Sequence, residues 1–325
     1  MSTIRVLVTG GAGYVGSHAA KALRAAGFEP VTLDDLSAGH EWAVRYGPFV
    51  RGRIEDTALV ARLIEDSGVE AVLHFAASAY VRESLYLPEK YFRNNVAGSM
   101  ALLDACLASP RLRAFVLSST CAVYGVPDES PIREGARTAP INPYGESKLF
   151  VEKMLDWYGK AHGLRWAALR YFNAAGSDPD GEIGEVHDPE THIVPLLIDA
   201  ARGGPPVTIL GRDHPTPDGT AIRDYIHVSD LADAHVSCLR YLLDGGASRA
   251  FNLGTGKGAS VAEVIRVVES KVGAVSVVDG PRSPGDPAVL VADAAAAARV
   301  LSWSPSRSDL DRIVQTAAKW HTLRR

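Results

Sequence analysis

Residues 4 to 35, IRVLVTGGAGYVGSHAAKALRAAGFEPVTLDD, constrain this chain more than any other stretch. Ile4 to Thr9 is a short apolar, β-rich run of the kind a sheet buries on both faces. It leads into Gly10, Gly13 and Gly16 at G-x-x-G-x-x-G spacing, then a helix-like segment, then a second strand ending at Asp34. Glycines at this spacing permit a tight turn, close approach of the backbone to a pyrophosphate, and close helix–strand packing. The helix start then offers unpaired N–H groups to the phosphates. A glycine-rich turn alone is weak evidence, but a strand before it, a helix after it and an acid at the next strand end form the context of a dinucleotide site. Asp34 and Asp35 also select the dinucleotide. A carboxylate there accepts the adenosine ribose hydroxyls and repels a 2′-phosphate, so NAD is favoured over NADP.

Strand and helix patterns alternate over the following residues, which predicts a doubly wound parallel α/β sheet of the Rossmann type with ligands at the carboxyl ends of its strands. Those ends read Phe75-Ala76-Ala77, Ser118-Ser119-Thr120 and Tyr171-Phe172-Asn173. Residues 174–222 are rich in Gly, Pro and Asp and read as loops and short elements, and the part after Ser260 reads as a small mixed α/β unit ending in a tryptophan-bearing helix. The expected division is an NAD-binding domain at 1–173 with about 224–258, and a substrate domain at 174–223 and 259–325.

Composition narrows the class further. Of 325 residues, 46% are hydrophobic and 22% charged, as in ordinary soluble proteins. A net charge of −4 without a basic run suggests neither a nucleic-acid nor a membrane partner. Cys106, Cys121 and Cys238 lie far apart without metal-ligand spacing, which fits a reducing cytoplasm; no metal site is expected. No apolar run has the length of a membrane span, and the first strand starts too early to leave room for a signal peptide.

The chemistry is expected at PYGESK, residues 143–148. Tyr144 and Lys148 are one helical turn apart on one face. For the phenol to act as a base at neutral pH its pKa must fall by roughly three units, about 4 kcal/mol. A neighbouring ammonium and a positive nicotinamide ring both favour phenolate.

Taken together, VLVTGGAGYVGSH, LDDL, HFAA, NNV, SSTCAVYG, NPYGESK, RYFNAAG, PTPDGTAIRDYIHV and FNLGTG resemble the extended short-chain dehydrogenase/reductase family, over nearly the whole chain. The PTPDGT–RDYIHV block is most similar to the branch that epimerises nucleotide sugars. The resemblance implies NAD-dependent inversion at carbon 4 of a UDP-hexose, interconverting UDP-glucose and UDP-galactose through a transient 4-keto sugar. Tyr144 is implied as the base, Lys148 as its partner and ribose ligand, and Thr120 as a hydrogen-bonding group on the sugar hydroxyl. Cofactor contacts are implied for Gly10, Gly13, Tyr14, Val15, Gly16, Asp34, Asp35, Ile54, Phe75, Ala76, Ala77, Asn94, Ser118, Tyr171 and Phe172, besides Tyr144 and Lys148. UDP-sugar contacts are implied for Asn173, His192, Ile193, the Thr208-Ile209-Leu210 strand, Arg223, Arg282 and Asp286, besides Thr120. Arg223 is the natural diphosphate clamp, because a guanidinium fork matches phosphate oxygens two at a time. A homodimer built on the helices near Asn94–Leu107 and Tyr144–Gly159 is also implied.

Three positions depart from the family pattern. Ser283 stands where a second arginine usually binds diphosphate, and Arg53 stands where an aspartate often meets the adenine, so that contact is either lost, weakening NAD retention, or taken by Glu55 or Asp56. Leu290 occupies the position that influences whether an N-acetyl group fits. Three other readings remain at this level. One is a 4-epimerase acting on a UDP-N-acetylhexosamine or UDP-pentose. Another is an NDP-sugar dehydratase, which would need an acid after Thr120 where this chain has Cys121-Ala122. The third is an NAD-sensing regulator, which would be expected to lack Tyr144 and Lys148.

Overall fold

The computed structural model describes residues 3–282 and 286–324. The first βαβ unit consists of β1 (Arg5–Thr9), α1 (Tyr14–Ala25) and β2 (Glu29–Asp34). β1 is buried along four of its five residues, as its apolar run requires, and β2 ends on the expected acid. β3 (Phe49–Arg51), α2 (Thr57–Ser67) and β4 (Val69–His74) follow. Asp56 caps α2 by accepting from Leu59 N, and Gly68 ends that helix in the left-handed region. Two short helices, α3 (Val81–Ser84) and α4 (Pro88–Tyr91), lead through a π-helical turn at Phe92–Ala97 into α5 (Gly98–Leu107). β5 (Ala114–Thr120), α6 (Pro143–His162) and β6 (Arg165–Tyr171) complete the first half.

The second half contains β7 (Asn173–Ala175), α7 (Ile193–Ala201), β8 (Val207–Leu210), β9 (Ile222–Arg223), β10 (Tyr225–His227) and α8 (Val228–Leu243). After these come β11 (Arg249–Leu253), β12 (Ala259–Ser260), α9 (Val261–Lys271), β13 (Val277–Gly280), β14 (Val289–Leu290), α10 (Ala295–Leu301) and α11 (Leu310–Leu323). Residues 174–222, read as loop from composition, thus hold β7, β8, β9 and an apolar helix, α7. The glycines and prolines there mark the joints between elements rather than a loop throughout.

The main sheet is parallel with strand order β11-β6-β5-β4-β1-β2-β3. Order reverses between β1 and β4, so their carboxyl ends diverge and open a crevice. Apolar side chains fill both faces. Val6, Val8, Leu73, Val116 and Leu169 pack toward α1 and α8, whereas Leu7, Val72, Phe115 and Leu117 pack toward α2, α5 and α6. A third apolar cluster lies among α7, α9 and α11. Among the described residues, no helix is long and apolar enough to cross a membrane.

Candidate active site

The crevice begins at the glycine turn. A Cβ on Gly10 would stand 2.5 Å from Ala76 N, and one on Gly16 would stand 2.2 Å from Gly10 O, so neither position admits a side chain without moving backbone. Gly13 differs. A Cβ there would meet only Gly10 O, at 3.3 Å, which leaves this backbone open toward the crevice. Gly13 is also the N-cap of α1, with no side-chain cap and no acid in the first turn, so the helix start can receive a phosphate. Tyr14 turns away and donates its hydroxyl to Gly176 O at 2.6 Å. Lys21, further along α1, reaches Asp178, Asp180 and Glu182 at 2.8, 2.7 and 3.0 Å. Val15 packs against the core behind the turn.

At the end of β2, Asp34 accepts from Ala12 N and Leu36 N at 3.0 and 2.8 Å. Burial raises its carboxyl pKa, and the two backbone bonds pull against that. Asp35 accepts from Ser37 N, with the Arg53 guanidinium 3.7 Å away. Arg53 bonds Glu55 at 2.7 Å and Asp56 is occupied as the α2 cap, so both proposed replacements for the adenine contact are already engaged. Ile54 is buried under Gly98 of α5. The glycine cradle, the open helix start and the acidic strand end fit an adenine dinucleotide.

On the other side of the crevice, β4 ends in Phe75-Ala76-Ala77. Phe75 packs on the His235 ring, with centroids 4.7 Å apart, and Ala76 N donates to Thr9 O. Asn94 donates to Ser78 Oγ. Its neighbour Asn95, which sequence reasoning passed over, is nearly fully buried, accepts from Ser78 N and donates to Ser147 Oγ at 2.9 Å. Asn95 thereby ties the 78–95 segment to α6 next to Lys148. The doubled asparagine in NNV was the available signal.

Helix α6 begins where its sequence says it should. Asn142 accepts from Gly145 N as the cap, and Pro143 fills the first helical position, where no N–H is needed. This fixes Tyr144 and Lys148 against the ends of β5 and β6. Lys148 is buried and donates from Nζ to Ser118 O at 2.9 Å. Ser118 Oγ and Tyr171 Oη lie 2.7 Å apart, and Phe172 is buried beside them. The Thr120 hydroxyl accepts from Ala122 N and lies near enough to the Tyr144 phenol to favour its charged form. The predicted trio is therefore assembled on one side of the crevice.

In the chain alone, burial dominates its electrostatics. Burial raises the Tyr144 pKa well above its ordinary value, and the Thr120 hydroxyl opposes this only in part. Burial also pulls Lys148 down to about 8, against the attraction of Glu152. Desolvation outweighs the ammonium in the protein alone, so lowering the phenol's pKa depends on positive charge delivered by a bound cofactor. A further consequence concerns stability. Holding an ammonium at this site costs stability below about pH 8, on the order of 3 kcal/mol, and the cost fades as pH rises toward the unfolded lysine's value near 10.4. Lys148→Met is expected to melt a few degrees higher than the parent at pH 7, both proteins stripped of cofactor, with the gap narrowing toward pH 10. A lower melting point for the variant at pH 7 would remove that account.

The predicted sugar-side residues are only partly gathered. Asn173 opens β7, whose partner is β10, and donates its backbone N–H to Asp224 O. Arg223 Nη2 is 2.6 Å from Asp286, so two predicted ligands face each other as an ion pair. Arg282 bonds Asp213 at 2.7 Å, which makes it a surface pair unless substrate draws it away. Ser283 lies outside the described residues. On β8 the Ile209 side chain is buried in the third core cluster, leaving Thr208 and Leu210 accessible. His192 occupies the N-cap position of α7 without a side-chain capping bond, its ring going to Glu185 instead, and Ile193 begins the helix. Cys121 stands where an eliminating enzyme would need an acid, but burial pushes its thiol up to about 12.

The resemblance read from the motifs holds at full length. A profile of the NAD dependent epimerase/dehydratase family matches residues 6–254. The chain is 51% identical to a UDP-glucose 4-epimerase of Azospirillum brasilense, over 97% of this chain and 91% of that one. It superposes on a UDP-glucose 4-epimerase from Brucella ovis solved in complex with NAD with a TM-score of 0.95, at 51% identity over 97% of this chain and 98% of that chain. A Stenotrophomonas maltophila UDP-glucose-4-epimerase with bound NAD and formylated UDP-arabinopyranose gives a TM-score of 0.95 at 40% identity, covering 99% and 98%.

Proposed function

The chain belongs to the NAD dependent epimerase/dehydratase family, and from that premise we propose that it is an NAD-dependent 4-epimerase of UDP-hexoses, interconverting UDP-glucose and UDP-galactose. The observation that carries the reading is the placement of Tyr144, Lys148 and Thr120 together at the carboxyl ends of β5 and β6, beside a crevice with an acid at the ribose end.

A bound NAD, held by the glycine turn, Asp34 and Lys148, would supply a reversible hydride acceptor for carbon 4 of the sugar, with no net redox over the cycle. The chain's residues do the rest. Tyr144 takes the proton of the 4-hydroxyl and gives it back. Thr120 orients that hydroxyl through its own hydrogen bond. Lys148 holds the cofactor ribose and keeps a positive charge one helical turn from the phenol. Arg223 leaves Asp286 to clamp the diphosphate, and Thr208 and Leu210 flank the uridine with His192 and Ile193. Residues 174–223 and 259–325 form the part that receives the nucleotide sugar. The absence of a carboxylic acid after Thr120 disfavours elimination.

The reaction is placed in the cytoplasm, in keeping with three unpaired cysteines. The active form is a homodimer. Phe92, Val96 and Met100 recur every four residues on the π-turn and α5, while Phe150, Met154 and Trp157 form a second stripe on α6. Phe92, Met100, Phe150 and Trp157 are exposed in the single chain, 68% in the case of Trp157. Large adjacent apolar stripes are the usual mark of a subunit interface. Phe150→Asp combined with Met100→Asp should convert a dimer to a monomer in sedimentation velocity; an unchanged mass would place the interface elsewhere.

Product analysis tests the activity itself. Purified protein without added NAD is given UDP-galactose, UDP-N-acetylgalactosamine or UDP-xylose in separate reactions. Conversion of UDP-galactose to UDP-glucose supports the reading, and exclusive conversion of another pair replaces the hexose by that sugar. No conversion of any of the three, with or without added NAD, overturns it.

A further inference from the structure

We propose that Glu185, His187, Glu190 and His192 form a binding site for one divalent transition-metal ion, zinc or a cation of similar borderline softness. The four recur as E-x-H-x-x-E-x-H in the segment leading into α7, and one donor atom from each lies within 4.8 Å of all the others. Two imidazole nitrogens with two carboxylate oxygens are a donor set that zinc accepts, in tetrahedral geometry with bonds of about 2.1 Å and therefore ligand separations near ~3.4 Å. His187 Nδ1 already stands 3.2 Å from Glu185 Oε1 and 3.5 Å from Glu190 Oε1. His192 Nδ1 points at the same Glu185 oxygen.

Two further observations separate this cluster from an ordinary ion-pair patch. His187 Nδ1 is buried and makes no hydrogen bond, although both carboxylates are near, because neither is aligned for one. The ring is thus fixed with Nδ1 facing the Glu185 and Glu190 oxygens, the side from which a cation would be met once it displaces the ring proton. The surroundings are also rigid. Glu185 is buried, its carbonyl accepts from the Trp320 indole at 3.0 Å, and the Tyr14 and Tyr80 rings lie edge-on to His187. Such outer contacts hold ligands in place. His192 is half exposed and leaves a path from solvent. The neighbouring acidic group Asp178, Asp180 and Glu182 is different, because Lys21 Nζ already fills its centre. A cation at the first cluster would tie the 185–192 segment to the start of α7, fixing the residues assigned to the uridine side. Its role is positional, and no step of the epimerisation uses it.

The test uses the full chain as isolated with its cofactor. Protein equilibrated with zinc chloride and passed through a desalting column is expected to retain about one zinc per chain by elemental analysis. Cobalt(II) titrated into the parent should produce the visible bands of a tetrahedral ion, bleached by zinc. His187→Ala and, separately, Glu190→Gln should each weaken zinc binding at least tenfold. Zinc absent from the desalted parent, cobalt bands missing, or undiminished binding in both variants would each overturn the proposal. The cobalt spectrum is read on the parent chain, so misfolding of a variant cannot obscure the answer.

Discussion

Tyr144→Phe should reduce turnover by ~10²–10⁴-fold while leaving NAD bound, the range typical of losing one positioned acid–base group. Phenylalanine keeps the ring that packs edge-on to Tyr91 at 6.3 Å and loses only the hydroxyl, so the crevice keeps its shape. The removed oxygen lies beside Thr120 and one helical turn from Lys148, which donates to the β5 carbonyl at Ser118. Cofactor content is read by absorbance after denaturation, and turnover by conversion of UDP-galactose. Near-parental turnover in a variant that still carries NAD would move the base elsewhere. Loss of both activity and NAD would mean that the hydroxyl holds the cofactor rather than the proton.

The largest expected effect on stability lies directly behind that site. Arg170→Met should destabilise the fold by about 3–5 kcal/mol, because it leaves the Glu152 carboxylate buried without its counter-charge. Arg170 Nη2 and Nε bond Glu152 at 2.5 and 3.0 Å, and Nη1 reaches Tyr124 Oη at 2.9 Å. Glu152 also accepts from Ser119 Oγ, and Tyr124 donates to Asn252 Oδ1 at 2.7 Å. The network joins β5, β6, α6 and β11 from beneath the catalytic strand ends. The double variant Arg170→Met, Glu152→Leu should regain much of the loss, since an apolar pair needs no counter-charge. Urea unfolding at pH 7 distinguishes the cases. A single variant as stable as the parent would show that the pair is no more than a packed polar contact.

The sequence was most informative where one residue type serves a backbone need. Gly10 and Gly16 were legible because a side chain at either would strike backbone, and Asp34 because a strand end by the crevice asks for an acceptor. Tyr144 and Lys148 were legible from their helical spacing, and the structure adds the Asn142 cap and Pro143 that start α6 just before them. Residues that act through others were not legible. Glu152, Arg170 and Asp224 are buried polar groups whose partners are distant in sequence, with nothing local to mark them, and Asn95 had only the doubled asparagine as a sign. Composition misled at 174–222, where closely spaced glycine and proline joints obscured α7. The desolvation that raises Tyr144 in the chain alone was not legible, because spacing reports a neighbouring charge and is silent about how completely the pair is buried.

Helix α1 has one more implication. Its first residue, Tyr14, is fastened to Gly176, and its lysine is clasped by carboxylates at 178, 180 and 182. The helix whose uncapped start opens on the crevice is thus riveted to the segment running on toward α7. Neither can open alone without breaking the other's anchors, so the two should fluctuate as one cooperative unit. Amide exchange would show this as matched protection in α1 and in 176–182, both slowed together when dinucleotide is present. Independent exchange of the two would mean that the anchors are superficial. On this view the dinucleotide steadies the distant sugar-side segment by suppressing a shared breathing motion, without touching it.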